Sequence, residues 1–530
     1  MRPLSATNYV EARQTAGKAT RALLAGPDAR TMCRAACPQF PVTMPCLDDL
    51  PAPSFLVPGE TVWRVAEAER LAFIVDAEDF FRLAKQAMLA ARHSVFLIGW
   101  DFDARIELEP EGRTLEGPNR IGAFLNWLAK SRPELDLRVL KWDIGLLHSL
   151  GRGETPAFLL YWRFRRRLDL RLDGAHPPVS AHHMKLIVVD DALAFCGGID
   201  MTEGRWDTRA HAPEREGRRA PDGEFQKPWH DTTTCVSGPA ARALGDLARL
   251  RWKNATGKDI PDVPPSEGLW PDELAPHFRN VEIGIARTMP EYKETPQISE
   301  IEKATEAILR SAERTLYIEN QYLASRKIAE IMAERLRAPD GPEIVVICPR
   351  DSDGWLESKA MDTARARLIE FLRSEDRYGR FRIFYPVNAD DTPIYVHAKV
   401  MIADDSILKV GSANLNNRSM GYDTECDILI EATTEEMRET ITAIRNDLLA
   451  EQVDATPDAV AKAVAASGGS IIGAIEALNP DAQRRLVRME VEEHSLDEEM
   501  LAESDAADPI RPVTFREAVT SLFRSFRRKL

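Results

Sequence analysis

The chain has 530 residues, with 84 acidic and 69 basic side chains, a formal net charge of −15 and 44% apolar residues. This length predicts about two to four domains with sizeable cores. The acidic balance excludes the global positive field that is typical of a general nucleic-acid binder, and it leaves room only for a local basic patch. The seven cysteines are sparse and odd in number, which favours a reducing compartment over a disulfide scaffold.

The first segment, residues 1–58, is expected to be an irregular N-terminal extension because prolines interrupt it. Residues 1–30 contain no continuous apolar stretch of the kind that a Sec signal peptide needs. No run of about 18 apolar residues occurs in the sequence, so we expect no transmembrane helix. These features predict a cytoplasmic or peripheral membrane location, and secretion by a route without a Sec signal peptide stays open.

From residue 59 onward, short apolar runs alternate with amphipathic stretches, a pattern that is typical of an α/β fold. The runs occur twice: residues 94–102, for example, are matched by residues 315–323. A nearly constant offset between matching runs indicates two copies of one α/β unit. Because prolines cluster shortly after residue 260, we place the first copy at 59–265 and the second at 266–455.

The most informative repeated element is a His-x-Lys-x-x-x-x-Asp motif, present once in each copy. Side chains two apart in a strand point to the same face, so His183 and Lys185 project together, as do His397 and Lys399. If the copies face each other across a two-fold axis, one site holds two imidazoles and two ammonium groups. This set suits a phosphodiester: one histidine attacks phosphorus, the other protonates the leaving alcohol, and the lysines neutralise the developing charge.

Other residues of the motif region have less direct roles. Asp190 and Asp404 end the two motifs at predicted strand ends, where we expect them to orient the lysine or the turn. His182 does not fit the spacing and is expected to face outward. No group of His, Asp and Glu with metal-ligand spacing accompanies the motifs, so no metal or other cofactor is expected.

Each motif is followed, seven residues after its aspartate, by a second shared element. The first is Gly-Gly-Ile-Asp, which includes Gly198 and ends at Asp200, and the second is Gly-Ser-Ala-Asn, which includes Ser412 and Asn414. Glycine lets the backbone approach a ligand, and the serine and asparagine side chains can donate hydrogen bonds to phosphate oxygens. These residues are therefore candidate phosphate-binding groups.

A nucleophilic histidine also needs an acceptor on its far ring nitrogen to fix the tautomer. Glu425 is the predicted acceptor for His397. Asp200 and Asp207 are both candidates for His183, and the sequence does not choose between them.

The paired motifs resemble the two HKD motifs of the phospholipase D superfamily, and the resemblance extends over roughly residues 60–455. Residues 197–207, 228–231, 318–322 and 411–419 also resemble segments of eukaryotic-type phospholipases D. The resemblance implies an α/β, bilobal, duplicated fold in which each lobe is a mixed β-sheet flanked by helices, with the active site between the lobes. It also implies that His183 is the nucleophile and His397 the general acid.

The implied activity is that of a metal-independent phosphodiesterase acting on a phospholipid at a membrane surface. A phospholipase D of this kind hydrolyses a lipid such as phosphatidylcholine to phosphatidic acid and free head group, and an alcohol can replace water as acceptor. The alternative is a phosphatidyltransferase similar to cardiolipin or phosphatidylserine synthase. A nuclease is disfavoured by the acidic chain, so no nucleic-acid partner is expected, although residues 163–167 form a basic run. The oligomeric state stays open.

Residues 456–530 are predicted to form a helical C-terminal extension. Short helices are expected at 457–465 and 470–478, followed by an acidic stretch at 490–508. Residues 514–530 carry an apolar stripe and a basic end, which is typical of an amphipathic helix that lies on a membrane or on the protein itself.

Overall fold

The computed structural model describes residues 54–143, 167–178, 180–264, 266–353 and 355–491. The predicted N-terminal extension, the acidic stretch and the predicted C-terminal basic helix lie wholly or almost wholly outside these residues, as does most of the basic run at 163–167. The described residues from Phe55 onward belong to one compact unit.

The described residues contain both strands and helices. In chain order they are β1 (Arg64–Val75), β2 (Ser94–Gly99), β3 (Asp136–Trp142), β4 (Leu168–Asp173), β5 (Lys185–Val189), β6 (Leu193–Gly197), β7 (Trp229–His230), β8 (Thr232–Ser237), β9 (Phe278–Met289), β10 (Ile298–Ser299), β11 (Thr315–Asn320), β12 (Glu343–Ile347), β13 (Phe381–Val387), β14 (Tyr395–Val396), β15 (Lys399–Ala403), β16 (Ile407–Gly411), β17 (Glu425–Glu431) and β18 (Arg485–Arg488).

The helices lie between these strands and after the last long one. The α-helices of the described residues are α1 (Ala77–Ala90), α2 (Ile121–Ser131), α3 (Pro239–Thr256), α4 (Glu300–Ser311), α5 (Arg326–Arg337), α6 (Trp355–Glu375), α7 (Glu435–Gln452), α8 (Pro457–Ala466) and α9 (Ile471–Leu478). Short 3₁₀ turns occur at Glu216–Arg218 and Asn479–Asp481, and a π-helical turn at Arg418–Tyr422.

The duplication is visible in the order of the strands. One large mixed sheet runs β18-β13-β12-β11-β15-β16-β17-β9-β1-β8-β6-β5-β2-β3-β4, with β10 attached beside β9. Outward from the antiparallel β1–β9 pair, the order β8-β6-β5-β2-β3-β4 on one side matches β17-β16-β15-β11-β12-β13 on the other. The fold is therefore a duplicated, mixed α/β architecture in which the two half-sheets join edge to edge.

Three hydrophobic clusters hold helices against this sheet. Alternate residues of a strand point to opposite faces, and the apolar strands β5 and β15 accordingly serve two clusters each. One cluster spans both repeats and includes α3, α7, α8 and α9. On the other faces, α1 and α2 cover the first repeat and α4, α5 and α6 cover the second. The sheet is thus buried on both sides, which fixes the strand ends that carry the motifs.

The segment after residue 455 is partly integrated into this core. Helices α8 and α9 coincide closely with the two predicted short helices, and β18 extends the sheet by pairing with β13. Within the described residues, no single helix has the length and apolar character of a membrane span; α8 and α9 reach that threshold only as a pair bent by 118°. The exact limits of the predicted domains remain a prediction.

Two short pairings cross from one repeat to the other. The parallel pair β7–β14 places Trp229 opposite Tyr395 and His230 opposite Val396. An isolated parallel bridge joins His182 to Thr424. Each pairing therefore brings the start of one motif beside a residue of the opposite repeat.

Candidate active site

The two motif histidines face each other. The ring centroids of His183 and His397 are 6.4 Å apart, with their planes inclined by 56°. The side chains are 16% and 6% exposed, respectively, so both imidazoles lie in a largely enclosed site. This separation allows both rings to flank a single phosphorus atom, the arrangement that the duplicated motif predicts.

Each histidine is oriented by a carboxylate from the opposite repeat. His183 Nδ1 lies 3.1 Å from both carboxylate oxygens of Glu425 and 3.0 Å from the carbonyl oxygen of Ser412. His397 Nδ1 lies 2.6 Å from Asp231 Oδ2. Because Nδ1 is occupied in both rings, Nε2 is the nitrogen available for chemistry.

This pairing corrects the sequence prediction. Glu425 serves His183, not His397, and neither Asp200 nor Asp207 contacts a motif imidazole through a described hydrogen bond. Asp200 instead accepts from Lys185 Nζ at 3.1 Å and from the Trp100 backbone N–H at 3.0 Å. Asp207 accepts from His211 and from the Trp229 backbone N–H. The prediction assumed partners within one repeat, whereas the cross-repeat strand pairs exchange them.

Asp231 is the functional residue that sequence reasoning missed. It directly precedes β8, the strand beside β6, just as Glu425 begins β17, the strand beside β16. An acidic residue at the start of the last strand of each repeat was the signal that could have identified it. Gly198 is needed next to it, because a Cβ at that position would lie 2.2 Å from Asp231 Oδ1.

Hydrogen bonds hold the Glu425 carboxylate in turn. Ser412 Oγ donates to Glu425 Oε2 at 2.5 Å, and Ser419 Oγ donates to Oε1 at 2.7 Å. Ser412 is thus committed to Glu425, not to a phosphate oxygen as predicted. Asn414 Nδ2 lies 3.4 Å from Gln321 Oε1, and its own Oδ1 is buried without a hydrogen-bond partner among the described residues.

The two lysines are fixed by their own motifs. Lys185 Nζ donates to the His183 carbonyl at 2.6 Å, and Lys399 Nζ donates to the His397 carbonyl and, at 3.1 Å, to Gln321 Oε1. An ammonium group has three donors. With Asp200 on Lys185, each lysine therefore has two described partners, which leaves one donor for a substrate oxygen.

The motif aspartates lie away from the chemistry. Asp190 accepts from the backbone N–H groups of residues 92–94, and Asp404 accepts from those of residues 313–315. Both have positive φ, 51° and 54°, which aspartate tolerates better than most residues. Each closes the turn that leads into β2 or β11, and neither contacts the lysine of its motif.

His182 is also placed differently from the prediction. It is 2% exposed, its Nε2 lies 3.0 Å from Asp173 Oδ1, and it contacts the Arg251 guanidinium at 2.9 Å. A residue next to His183 in an extended segment points to the opposite side of the strand. In this protein that side is covered by α3, so His182 is buried, not outward-facing.

An aromatic wall borders His397. The Trp229 ring lies 5.1 Å from the His397 ring and stacks on Tyr395 at 4.4 Å. The Arg205 guanidinium lies over Trp229 at 4.0 Å from its ring centroid. Arg205 makes no hydrogen bond or ion pair with any residue that the structure describes, and its buried Nε is without a partner. It is therefore a cation at the site whose donors are not committed to the protein.

The electrostatics of the free site favour neutral imidazoles. Burial, followed by the Lys185 and Lys399 ammonium groups, lowers the pKa of His183 well below its usual value. Burial and the charges of Lys399 and Arg205 lower the pKa of His397 in the same way. His397, which the resemblance implies is the general acid, is thus neutral before a substrate binds.

Burial also shifts the pKa values of the charged groups around the imidazoles in the direction that favours their uncharged forms. It raises the pKa of Glu425 to about 7 and that of Asp231 to about 6, and it lowers the pKa of Lys399 to about 7. These groups therefore all change protonation near neutral pH.

Among the described residues, the group with metal-ligand spacing is Asp76, His211, His230 and Glu451, and it contains no motif residue.

The chain is similar in sequence to several known proteins. A sequence profile of the family described as "Cardiolipin synthase, PLD-like domain" matches residues 306–448. The chain is 25% identical over 463 residues to phospholipase D alpha 4 of Arabidopsis thaliana, covering 67% of this chain and 60% of that protein. It is 24% identical over 479 residues to phospholipase D alpha 1 of Vigna unguiculata, covering 65% and 58%. The chain thus spans less than two thirds of the length of these relatives.

The crystal structure of phosphatidylserine synthase from Haemophilus influenzae Rd KW20 aligns with a TM-score of 0.49 at 11% identity, over 73% of this chain and 88% of that one. The family match lies within the second repeat, and the relatives align over about two thirds of the chain. The family profile and the sequence relatives, together with the paired motifs, identify the chain as a member of the phospholipase D superfamily.

Proposed function

We propose that this chain is a phosphodiesterase of the phospholipase D type, which hydrolyses a glycerophospholipid such as phosphatidylcholine to phosphatidic acid and free head group. The observation that carries the proposal is the facing pair His183 and His397, each with Nδ1 held by a carboxylate. Such a pair suits attack on phosphorus from one side and protonation of the leaving oxygen on the other.

In the first step, Nε2 of His183 forms a bond to phosphorus while the bond from phosphorus to the head-group oxygen breaks. His397 donates its Nε2 proton to that oxygen and becomes neutral. In the second step, neutral His397 accepts a proton from water or an alcohol, whose oxygen displaces His183 from phosphorus. At the end of the second step, His183 is free of phosphorus and His397 again carries a proton. The choice of His183 as nucleophile follows the family resemblance, since the geometry of the two halves is nearly symmetric.

The free site supplies a neutral nucleophile but not a protonated acid. The bound phosphodiester contributes a negative charge between the rings, which raises the pKa of both imidazoles. Asp231 accepts from His397 Nδ1 and stabilises the imidazolium that results. Protonation of His397 is therefore coupled to substrate binding, and the enzyme without substrate keeps both rings neutral.

Positive charge around the phosphate comes from the two lysines and from Arg205. The free donors of Lys185 and Lys399 converge from the two motifs, and Arg205 adds a guanidinium beside His397. Donors aimed at the place where charge develops stabilise the transition state more than the ground state. We assign Arg205 to a non-bridging phosphate oxygen or to the leaving side of the substrate.

The decisive experiment compares a phospholipid with a p-nitrophenyl phosphodiester, which has a better leaving group. With a p-nitrophenyl phosphodiester, departure needs no acid, so His397→Asn should release one burst of p-nitrophenol and then stall as a phosphoenzyme. His183→Asn should give no burst. The acid-quenched label should map to His183, and a label on a serine or a burst from His183→Asn would overturn the mechanism.

A phosphatidyltransferase is the second candidate, because the matching family profile carries the description of cardiolipin synthase. Both functions share the phosphohistidine and differ in the acceptor. A lipid panel offered with water alone, with a primary alcohol and with phosphatidylglycerol separates them. Phosphatidic acid formed with water alone supports hydrolysis, whether or not an added alcohol diverts part of it, whereas product formed only with an added alcohol or phosphatidylglycerol supports transfer.

We propose further that the chain acts at a membrane surface from a cytoplasmic or peripheral location, since its substrate is a lipid. Cell fractionation with and without high salt tests this placement. Recovery of the chain only in the culture medium would contradict it.

A further inference from the structure

Four buried polar side chains meet beside Asp231, which lies between β7 and β8. They are Asp76 at the start of α1, His211 in the loop after β6, His230 in β7 and Glu451 near the end of α7. None is more than 5% exposed. One potential ligand atom from each lies within 4.8 Å of all the others. We call these four residues the His/carboxylate cluster.

The distances within this cluster fit a small metal ion. Glu451 Oε1 lies 2.8 Å from His230 Nδ1 and 3.1 Å from His211 Nε2. The Asp76 oxygens lie 3.3 Å from His230 Nδ1 and 3.5 Å from His211 Nε2. A tetrahedral zinc ion with bonds of about 2.0–2.1 Å separates its ligand atoms by roughly 3.3 Å. The cluster thus needs only small shifts to enclose an ion.

Each histidine has its outer nitrogen on a second carboxylate. His211 Nδ1 lies 2.9 Å from Asp207 Oδ2, and His230 Nε2 lies 2.9 Å from Glu319 Oε2. This arrangement turns one ring nitrogen of each histidine inward. Metal-binding histidines in proteins are oriented in the same way, because the outer carboxylate fixes the tautomer and makes the inner nitrogen a better ligand.

Two buried atoms of the cluster, Asp76 Oδ2 and His230 Nδ1, form no hydrogen bond of suitable geometry in the described part of the chain, although His230 Nδ1 lies 2.8 Å from Glu451 Oε1. A buried polar atom without a partner is destabilising. A divalent ion would satisfy both atoms and would neutralise the two inner carboxylates while the imidazoles remain uncharged.

We propose that Asp76, His211, His230 and Glu451 bind one divalent first-row transition-metal ion, with zinc as the best match to two imidazoles and two carboxylates. Imidazole ligands favour zinc, iron, copper or nickel over magnesium and calcium. The site is closed by four protein ligands, so the ion is structural. It joins the first repeat, through three ligands, to α7 of the second.

The ion also positions the active site indirectly. Asp76 exchanges two hydrogen bonds with the backbone of Asp231: its Oδ1 accepts from the Asp231 N–H at 3.1 Å, and its N–H donates to the Asp231 carbonyl at 2.8 Å. His230 is the residue before Asp231. An ion on these two ligands therefore fixes the backbone that holds the Asp231 carboxylate on His397.

The test is the metal content of the full chain, purified without chelator from cells grown with added zinc and measured by mass spectrometry. The expected result is about one zinc ion per chain. His211→Gln and Asp76→Asn should each lower this content at least tenfold. The matched control is His182→Gln, because His182 is also a buried histidine between a carboxylate and an arginine but lies outside the cluster.

A second measurement covers variants that fold poorly. Wild-type protein from cobalt-supplied cells should show the visible absorption of tetrahedral Co²⁺, and the variants should lose it while remaining monodisperse. A folded wild-type chain free of metal after growth with zinc, cobalt, iron or manganese overturns the proposal, and two imidazolium protons then carry the charge of the cluster. Metal that persists unchanged in both variants places the ion elsewhere and overturns it equally.

Discussion

Lys185 and Lys399 occupy equivalent positions in the two repeats, and each donates to the carbonyl of its own motif histidine. Their other partners differ. Lys185 lies 3.1 Å from a carboxylate oxygen of Asp200, whereas Lys399 lies 3.1 Å from the neutral amide oxygen of Gln321. The histidine acceptors differ as well, since two serine hydroxyls donate to Glu425, whereas no hydroxyl of the described residues donates to Asp231. The duplicated backbone is thus symmetric, and the asymmetry that two different catalytic roles require is in the partner side chains.

Replacement of either motif histidine should give the largest loss of activity, and it tests whether the two halves of the site have different roles. Replacing His183 or His397 by asparagine should lower lipid turnover by about 10³–10⁶-fold, because residues acting as a unit fail as a unit. The two variants should differ only with an activated leaving group, where His397→Asn retains a burst. Equal burst amplitudes in the two variants would mean that the halves are interchangeable.

The orienting carboxylates should give the next largest effect. Asp231→Asn and Glu425→Gln present an amide to Nδ1, and this disfavours the required tautomer and the imidazolium; we expect a loss of ~10²–10⁴-fold in kcat. The fall in kcat caused by Asp231→Asn should be smaller with the p-nitrophenyl ester than with lipid. The fall caused by Glu425→Gln should be the same with both substrates. The reverse pattern would exchange the roles of the two histidines. Asp190→Asn, which alters only a turn, is the control for folding.

The shifted pKa values of Lys399, Asp231 and Glu425 determine the expected pH dependence of activity. Burial lowers the pKa of Lys399 to about 7, so its ammonium charge is present below that pH and is lost as the pH rises. Burial raises the pKa of Asp231 to about 6 and that of Glu425 to about 7, so their carboxylates are lost as the pH falls through that range. We expect kcat/KM for a soluble substrate to follow a narrow bell near neutral pH.

Gln321→Glu would give Lys399 the kind of partner that Lys185 already has in Asp200. The new carboxylate should raise the pKa of Lys399 and move the basic limb of the profile up by about one pH unit or more. Gln321→Leu is the matched control and should not move that limb upward. An unchanged basic limb in Gln321→Glu would assign it to another group.

Arg205 lies on the His397 side of the site, where its charge contributes to the lowered pKa of His397. Arg205→Met keeps much of the side-chain volume and removes the charge; we expect kcat/KM to fall by about 10–100-fold, with little change in stability. The control is Arg219→Met, which removes another guanidinium stacked on an aromatic ring, Phe225, away from the site. Equal kinetics for the two variants would remove Arg205 from the site.

The smallest effect is expected from chelation. Brief exposure to EDTA should leave turnover of a soluble substrate within about twofold, because lysines and not a metal stabilise the phosphoryl charge. An ion in the His/carboxylate cluster is too buried to exchange in that time. Immediate loss of turnover that a divalent ion restores would contradict the proposed charge stabilisation.

The sequence predicts the repeated architecture and the meeting of the two motifs, because both follow from local strand patterns that occur twice. It does not predict which carboxylate serves which histidine. That choice depends on the bridge from His182 to Thr424 and on the β7–β14 pair, contacts between segments far apart in the chain. The burial of His182 escapes prediction for a related reason, since it depends on the packing of α3 over that side of the strand.

His183 and Glu425 are 242 residues apart in the chain. At a synthesis rate of roughly 5–20 residues per second, about 10–50 s pass between the emergence of the first and of the second. During this interval the first repeat can fold on the ribosome, but its histidine has no partner to fix the tautomer and no opposite imidazole to protonate a leaving group. A site assembled in this way is incomplete in the nascent chain, and it forms only when translation of the second repeat is nearly finished.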